Sequence, residues 1–158
     1  MQCLLRVLTS LVWALWFGGV MGLFLSVQIL FHQTDRSVFL ESAPRLFIAF
    51  ERYQLVLAAT SLVFAFARRV MAPKPGLTAL CVLFVIAAAG AIVERTLITP
   101  RIEAMRILGQ THTPQFMRLH GLSMCVYMTV AIILLLAGVV QSLMVGKGRC
   151  TGSRSEIV

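Results

Sequence analysis

Charged residues are spaced so unevenly along this chain that two stretches, residues 7–34 and 119–146, each run 28 residues without one. Apolar runs of about 18 or more residues predict transmembrane helices. Arg6 precedes the first run, as a basic residue would in a secretory leader, but a leader's apolar stretch is about 7–15 residues long. This run is about twice that length, so it predicts a retained first span over about residues 5–31. Trp13 and Trp16 are expected near one membrane interface, with Gln28 and His32 toward the other.

The second span has to include charge. Residues 53–67 are free of it but number only 15, about 22 Å of helix against a hydrocarbon core of about 30 Å. Extending the span back to Pro44, which suits a first helical turn, gives a helix over about 44–68 that contains Glu51 and Arg52. The Pro73-Lys74-Pro75-Gly76 turn allows only a tight hairpin into a third span over about 77–98, which ends with Glu94 and Arg95 and breaks at Pro100. A short amphipathic segment, residues 101–108, stops at Gly109. Thr113-Pro114 reads as an N-cap with proline in the first turn, so a fourth span runs over about 114–145. The expected architecture is an all-α, integral membrane four-helix bundle over residues 1–146, followed by a flexible tail over 147–158 rich in glycine, serine and charge.

Composition agrees: 59% of residues are apolar and 13% charged, against about 45–50% and about 25% in soluble domains. The net charge of +8 would suggest nucleic-acid binding in a soluble protein. Here the basic residues flank apolar runs singly or in short groups, as they do beside phospholipid headgroups, and no nucleic-acid partner is expected. Cys3, Cys81, Cys125 and Cys150 have no zinc or disulfide spacing. Counting Lys and Arg gives seven on each side of the membrane. Discounting Arg52 and Arg95 as lying inside helices places both termini in the cytoplasm.

Small residues recur every fourth position at Ala14, Gly18, Gly22 and Ser26, predicting close helix approach within the bundle or a homo-oligomer through Gly18 and Gly22. Ala87 and Ala91 repeat the pattern on the third span, and Gly121, Cys125, Thr129 and Ala137 on the fourth. The hairpin brings the Glu51-Arg52 and Glu94-Arg95 pairs level, and the expected partners are Glu51 with Arg95 and Arg52 with Glu94. Gln28, His32, Arg101, Arg118, His120 and Ser123 reach the same leaflet and complete a candidate polar cluster, read either as a structural lock or as a site. His120 is expected to be buried against the third span. His120, Met124 and Met128 share a face with Cys125 beside it, an arrangement of soft ligands for a metal. A haem between His32 and His120 is a third reading.

Leu15-Trp16-Phe17-Gly18-Gly19, Thr99-Pro100-Arg101-Ile102 with Ala104-Met105, and Phe116-Met117-Arg118-Leu119-His120-Gly121-Leu122-Ser123 resemble the transmembrane-protein-205-like family, over about residues 4–145. The resemblance implies a four-helix integral membrane protein with no established reaction. Members often carry asparagine where this chain has Glu94 and Tyr127. The expected protein is therefore non-enzymatic, without a cofactor, and in contact with the lipid bilayer. Its alternatives are a small transporter or soft-metal or drug handler using His120, Met124, Met128 and Cys125, and a haem-binding redox protein.

Overall fold

The structure, a computed structural model, describes residues 2–33 and 35–150. Five α-helices run in chain order: α1 (Gln2–Gln33), α2 (Arg36–Met71), α3 (Pro75–Val93), α4 (Thr99–Ile107) and α5 (Pro114–Cys150), with a π turn, Glu94–Ile98, joining α3 to α4. No strand occurs among the described residues. Four helical stretches, Gln2–His32, Ser42–Met71, Pro75–Ile107 and Pro114–Met144, are long and apolar enough to cross a membrane. This is the expected all-α, four-span fold. Of the expected flexible tail over 147–158, residues 147–150 continue α5 and 151–158 lie outside the described residues.

The helices neighbour one another around a closed ring in the order α1, α2, α3, α5. The inward stripe of α3 carries Leu77, Leu80, Phe84, Ala87 and Ala91, and that of α5 carries Tyr127, Val130, Leu134 and Ala137. Steps of three and four residues keep one face of a helix against the bundle. Many apolar side chains on the outer faces, Leu25, Val56, Val85 and Leu135 among them, are more than half exposed, as lipid contact requires. Hydrophobic burial supplies little drive between helices in lipid, so close packing and interhelical hydrogen bonds hold the ring. Gly138 shows how. Its missing side chain leaves room for the Trp13 ring, whose indole N–H donates to the Leu134 carbonyl at 2.6 Å.

Several expected boundaries shift. α2 begins at Arg36, so Pro44 lies inside the helix, where it occupies the third turn. Pro100 does not end the third span either. The π turn ahead of it, in which the Thr99 N–H reaches back five residues to the Glu94 carbonyl, widens the helix and accommodates the proline ring, so the helix continues to Ile107. The stop at Gly109 is as expected. Its φ is +69°, the Gln110 N–H donates to Met105 O at 2.9 Å, and the Gly109 N–H donates to Arg106 O at 3.0 Å, which together form a Schellman end. α5 starts at Pro114 with Thr113 as its cap, the threonine hydroxyl accepting from the Phe116 N–H at 3.3 Å.

The tryptophans are not at an interface. Trp16 is fully buried with its ring centroid 6.2 Å from that of Phe84, and Trp13 is committed to α5. Gly18 and Gly22 have nothing within 4 Å of where a Cβ would stand, so their stripe faces out of the ring. The close approach of α1 to α2 occurs instead at Gly19, next to Phe50 and Tyr53.

Candidate functional site

Glu51 lies 20 residues from the end of α2 at Met71, Glu94 lies 19 from the start of α3 at Pro75, and Ser123 lies 21 from Met144 on α5. At 1.5 Å per residue each is about 30 Å from the bundle end that these positions share. A hydrocarbon core of about 30 Å centred on helices of about 45 Å extends to about 37 Å on that scale, so the three polar groups lie inside it.

Their side chains converge. The Arg95 Nη1 donates to Glu51 Oε2 at 3.1 Å, and the Thr99 hydroxyl donates to the other Glu51 oxygen. The Ser123 hydroxyl donates to Glu94 Oε1 at 2.5 Å. Glu51 is 3% exposed and Glu94 2%. The Arg95 side chain is 32% exposed, reaching inward from the rim. Glu94 Oε2 has neither solvent contact nor a partner, and the same holds for the Tyr127 hydroxyl. Tyr127 is 1% exposed and lies within electrostatic reach of both carboxylates. Its ring stacks obliquely on Phe47 and Phe50, with centroids 5.8 and 6.3 Å away, which fixes the hydroxyl's direction. The buried Gln54, one turn below Glu51 on α2, adds a carbonyl oxygen that also lacks a partner.

The expected pairing of Glu51 with Arg95 is present, but that of Arg52 with Glu94 is not. Adjacent helical residues point about 100° apart; with Glu51 turned inward, Arg52 is exposed, and Glu94 is bonded to α5 instead. His120 is also exposed, its ring stacked on Phe116 at a centroid distance of 6.2 Å, contrary to the expected burial. On α5 the inward position is taken by Ser123, which bonds Glu94, and the extra residue of the π turn rotates α4. α4 thus meets the side of α5 that carries Gln115, Arg118, Leu119 and Leu122, where a shallow groove separates the helices, and His120 is left outside. Gln28, His32, Arg101 and Arg118 are exposed as well. The ten-residue cluster reduces to Glu51, Glu94, Arg95 and Ser123.

Thr99, Tyr127 and Gln54 join the site without having been expected. Tyr127 follows Ser123 by four residues, and Gln54 follows Glu51 by three, so helical phase alone would have found both. Thr99 was hidden by reading Pro100 as a break. The soft-ligand set behaves differently. His120, Met124, Cys125 and Met128 are all exposed on the outer side of α5, one helix face with no second helix opposite it. Among the described residues no group of three or more His, Cys, Asp or Glu side chains converges.

The family model described as Domain of unknown function (DUF4149) matches residues 11–111. That range holds α1 from residue 11 onward, all of α2, α3, the π turn and α4, and ends before α5. No curated protein matches the chain, and no solved structure does.

Proposed function

From the premise that the chain belongs to the DUF4149 family of domains of unknown function, we propose that it is a non-enzymatic, multi-pass membrane protein whose interior polar cluster binds one small positive charge. The observation that carries this reading is that Glu94 Oε2 and the Tyr127 hydroxyl, which lie within electrostatic reach of each other, are both buried without a partner. Two buried carboxylates lie within electrostatic reach of each other, and among the described residues only Arg95 forms an ion pair with either, so the cluster is one positive charge short. An uncompensated charge is costly at membrane depth, and a proton or a monovalent metal ion held by Glu94 balances the site. The oxygen atoms of Glu94, Tyr127 and Gln54 are hard donors suited to either.

Burial of the Ser123–Glu94 hydrogen bond between two packed helices favours a structural tie over a working nucleophile and base, which supports the non-enzymatic reading. The Thr99-Pro100-Arg101-Ile102 and Phe116 to Ser123 elements support placing the chain with the transmembrane-protein-205-like proteins. A transporter role is compatible with a buried charge-binding site, whereas the outward set on α5 favours lipid contact over metal transfer.

The test is thermal unfolding of the purified protein in sodium, potassium and choline chloride at equal ionic strength, and across pH in choline alone. A ligand of the folded state raises its melting temperature by mass action. Stabilisation by sodium or potassium that Glu94→Gln abolishes identifies a metal ion. A pH dependence in choline that Glu94→Gln removes identifies a proton. If Glu94→Gln leaves both responses unchanged, the reading is wrong.

Two further assignments accompany it. The outward Gly18 and Gly22 face, with open space beyond it, supports a homo-oligomer packed through α1. The start of α1, the 72–74 turn and the late part of α5 share one end of the ring, tied by the Ser10 hydroxyl donating to Gln141 Oε1 at 3.1 Å. We assign that end to the cytoplasm on the balance of Lys and Arg, seven against five once Arg52 and Arg95, which lie within the helices, are set aside. Reporter fusions after residue 69 should read cytoplasm and fusions after residue 109 the opposite side; the reverse result rejects the orientation.

A further inference from the structure

At the opposite end of the bundle from the carboxylates, a cavity of about 750 Å³ opens between α1, the end of α2, the start of α3 and the end of α5. Its cationic lining is Arg6, Arg68 and Lys74, and no carboxylate lines it among the described residues. Arg68 Nη1 is shut off from solvent and has no hydrogen-bond acceptor, while Arg6 is close enough to repel it. A guanidinium nitrogen left without an acceptor beside a second guanidinium is a costly arrangement unless an anion joins it. α3 starts at this cavity with Pro75 in its first turn and no side-chain cap, so the positive end of its dipole points the same way.

Depth and wall chemistry define the anion. Arg68 lies one turn before the end of α2 and Arg6 one turn into α1, about where headgroups meet the hydrocarbon. The rest of the wall is apolar, with Leu5, Leu77, Val140, Leu143 and Met144. A free inorganic anion would use only the rim. A phospholipid would use both parts, its phosphate on the guanidinium groups and its glycerol and upper acyl chain against leucine, valine and methionine. We propose that this cavity binds the headgroup of an anionic phospholipid, with Arg68 and Arg6 as the phosphate ligands and Lys74 at the rim.

The experiment is native mass spectrometry of the detergent-purified protein titrated with phosphatidylglycerol, phosphatidylcholine or inorganic phosphate. Phosphatidylglycerol should be retained in preference to phosphatidylcholine, and each cation removed, Arg6→Gln or Arg68→Gln, should weaken it about fivefold. Arg68→Lys should keep most of the preference, which separates lost charge from lost folding. Arg101→Gln with Arg118→Gln, at the far end, should leave it intact. Equal retention of the two lipids overturns the proposal. So does a loss of preference in the far-end variant that matches the loss in Arg68→Gln, or phosphate competing as well as the lipid binds.

Discussion

Ser123 on α5 and Glu94 at the head of the π turn, 29 positions apart in sequence, share a buried hydrogen bond of 2.5 Å. It sets the rotation of α5, because Tyr127, Val130 and Leu134 follow on the same inward stripe. It also turns His120 outward. Cysteines introduced as Glu94→Cys with Ser123→Cys should crosslink readily in the membrane, whereas Glu94→Cys with His120→Cys should not. Equal crosslinking of the two pairs would place α5 in a different rotation.

The Glu51 and Arg95 ion pair joins α2 to the π turn at 3.1 Å. Removing one partner strands the other charge inside the bundle, while removing both leaves an apolar contact. Arg95→Leu alone should therefore destabilise the protein more than Arg95→Leu combined with Glu51→Leu, with a coupling of about 1–3 kcal/mol. Thr99 also binds Glu51, so Thr99→Val should cost about 1 kcal/mol and lose its effect in the Glu51→Leu background. Additive losses in a double-mutant cycle would rule out the pairing.

Span number and the level of the carboxylates were legible because both rest on quantities that a sequence displays: run length against membrane thickness, and the position of a Pro-Gly hairpin. Glu51 and Arg95 could be paired on that basis. What hid the rest of the site was local backbone geometry. A π turn has no hydropathy signature, yet one extra residue at 94–98 moved α4 around the bundle and carried Thr99 to Glu51. Glycine stripes were similarly ambiguous, since Gly18 and Gly22 look the same in sequence whether they face a neighbour or lipid. Gly138, which makes the close contact, is followed by Ser142 and Gly146 at steps of four, a stripe that looks no different in sequence from the outward one on α1.

Glycine substitutions should divide accordingly. A side chain at Gly138 would collide with the Trp13 ring and displace the indole from the Leu134 carbonyl. Gly138→Val should lower the melting temperature by the equivalent of about 2–3 kcal/mol and shift tryptophan emission, as overpacking with loss of a hydrogen bond does. Gly22→Val, with open space around it, should leave the monomer's melting temperature within about 0.5 kcal/mol. If the two variants behave alike, α1 does not pack on α5 through Trp13.

The π turn makes the strongest demand on the fold, because Pro100 would otherwise sit in the interior of a regular helix. Deleting Leu97, which is 53% exposed and contributes nothing to the core, removes the extra residue. The carbonyl of Arg95 then stands four residues before the proline, where it meets the ring and loses its donor, a conflict of about 3 kcal/mol. The deletion also turns α4 by about 100°, withdrawing Thr99 from Glu51. The Leu97 deletion should therefore unfold far more readily than the parent. Adding Pro100→Ala to it should recover about the proline's share and no more, because the Thr99 contact stays lost. Pro100→Ala in the full-length chain should change little. Melting followed by circular dichroism distinguishes these cases, and a Leu97 deletion as stable as the parent would show that the proline needs no π turn.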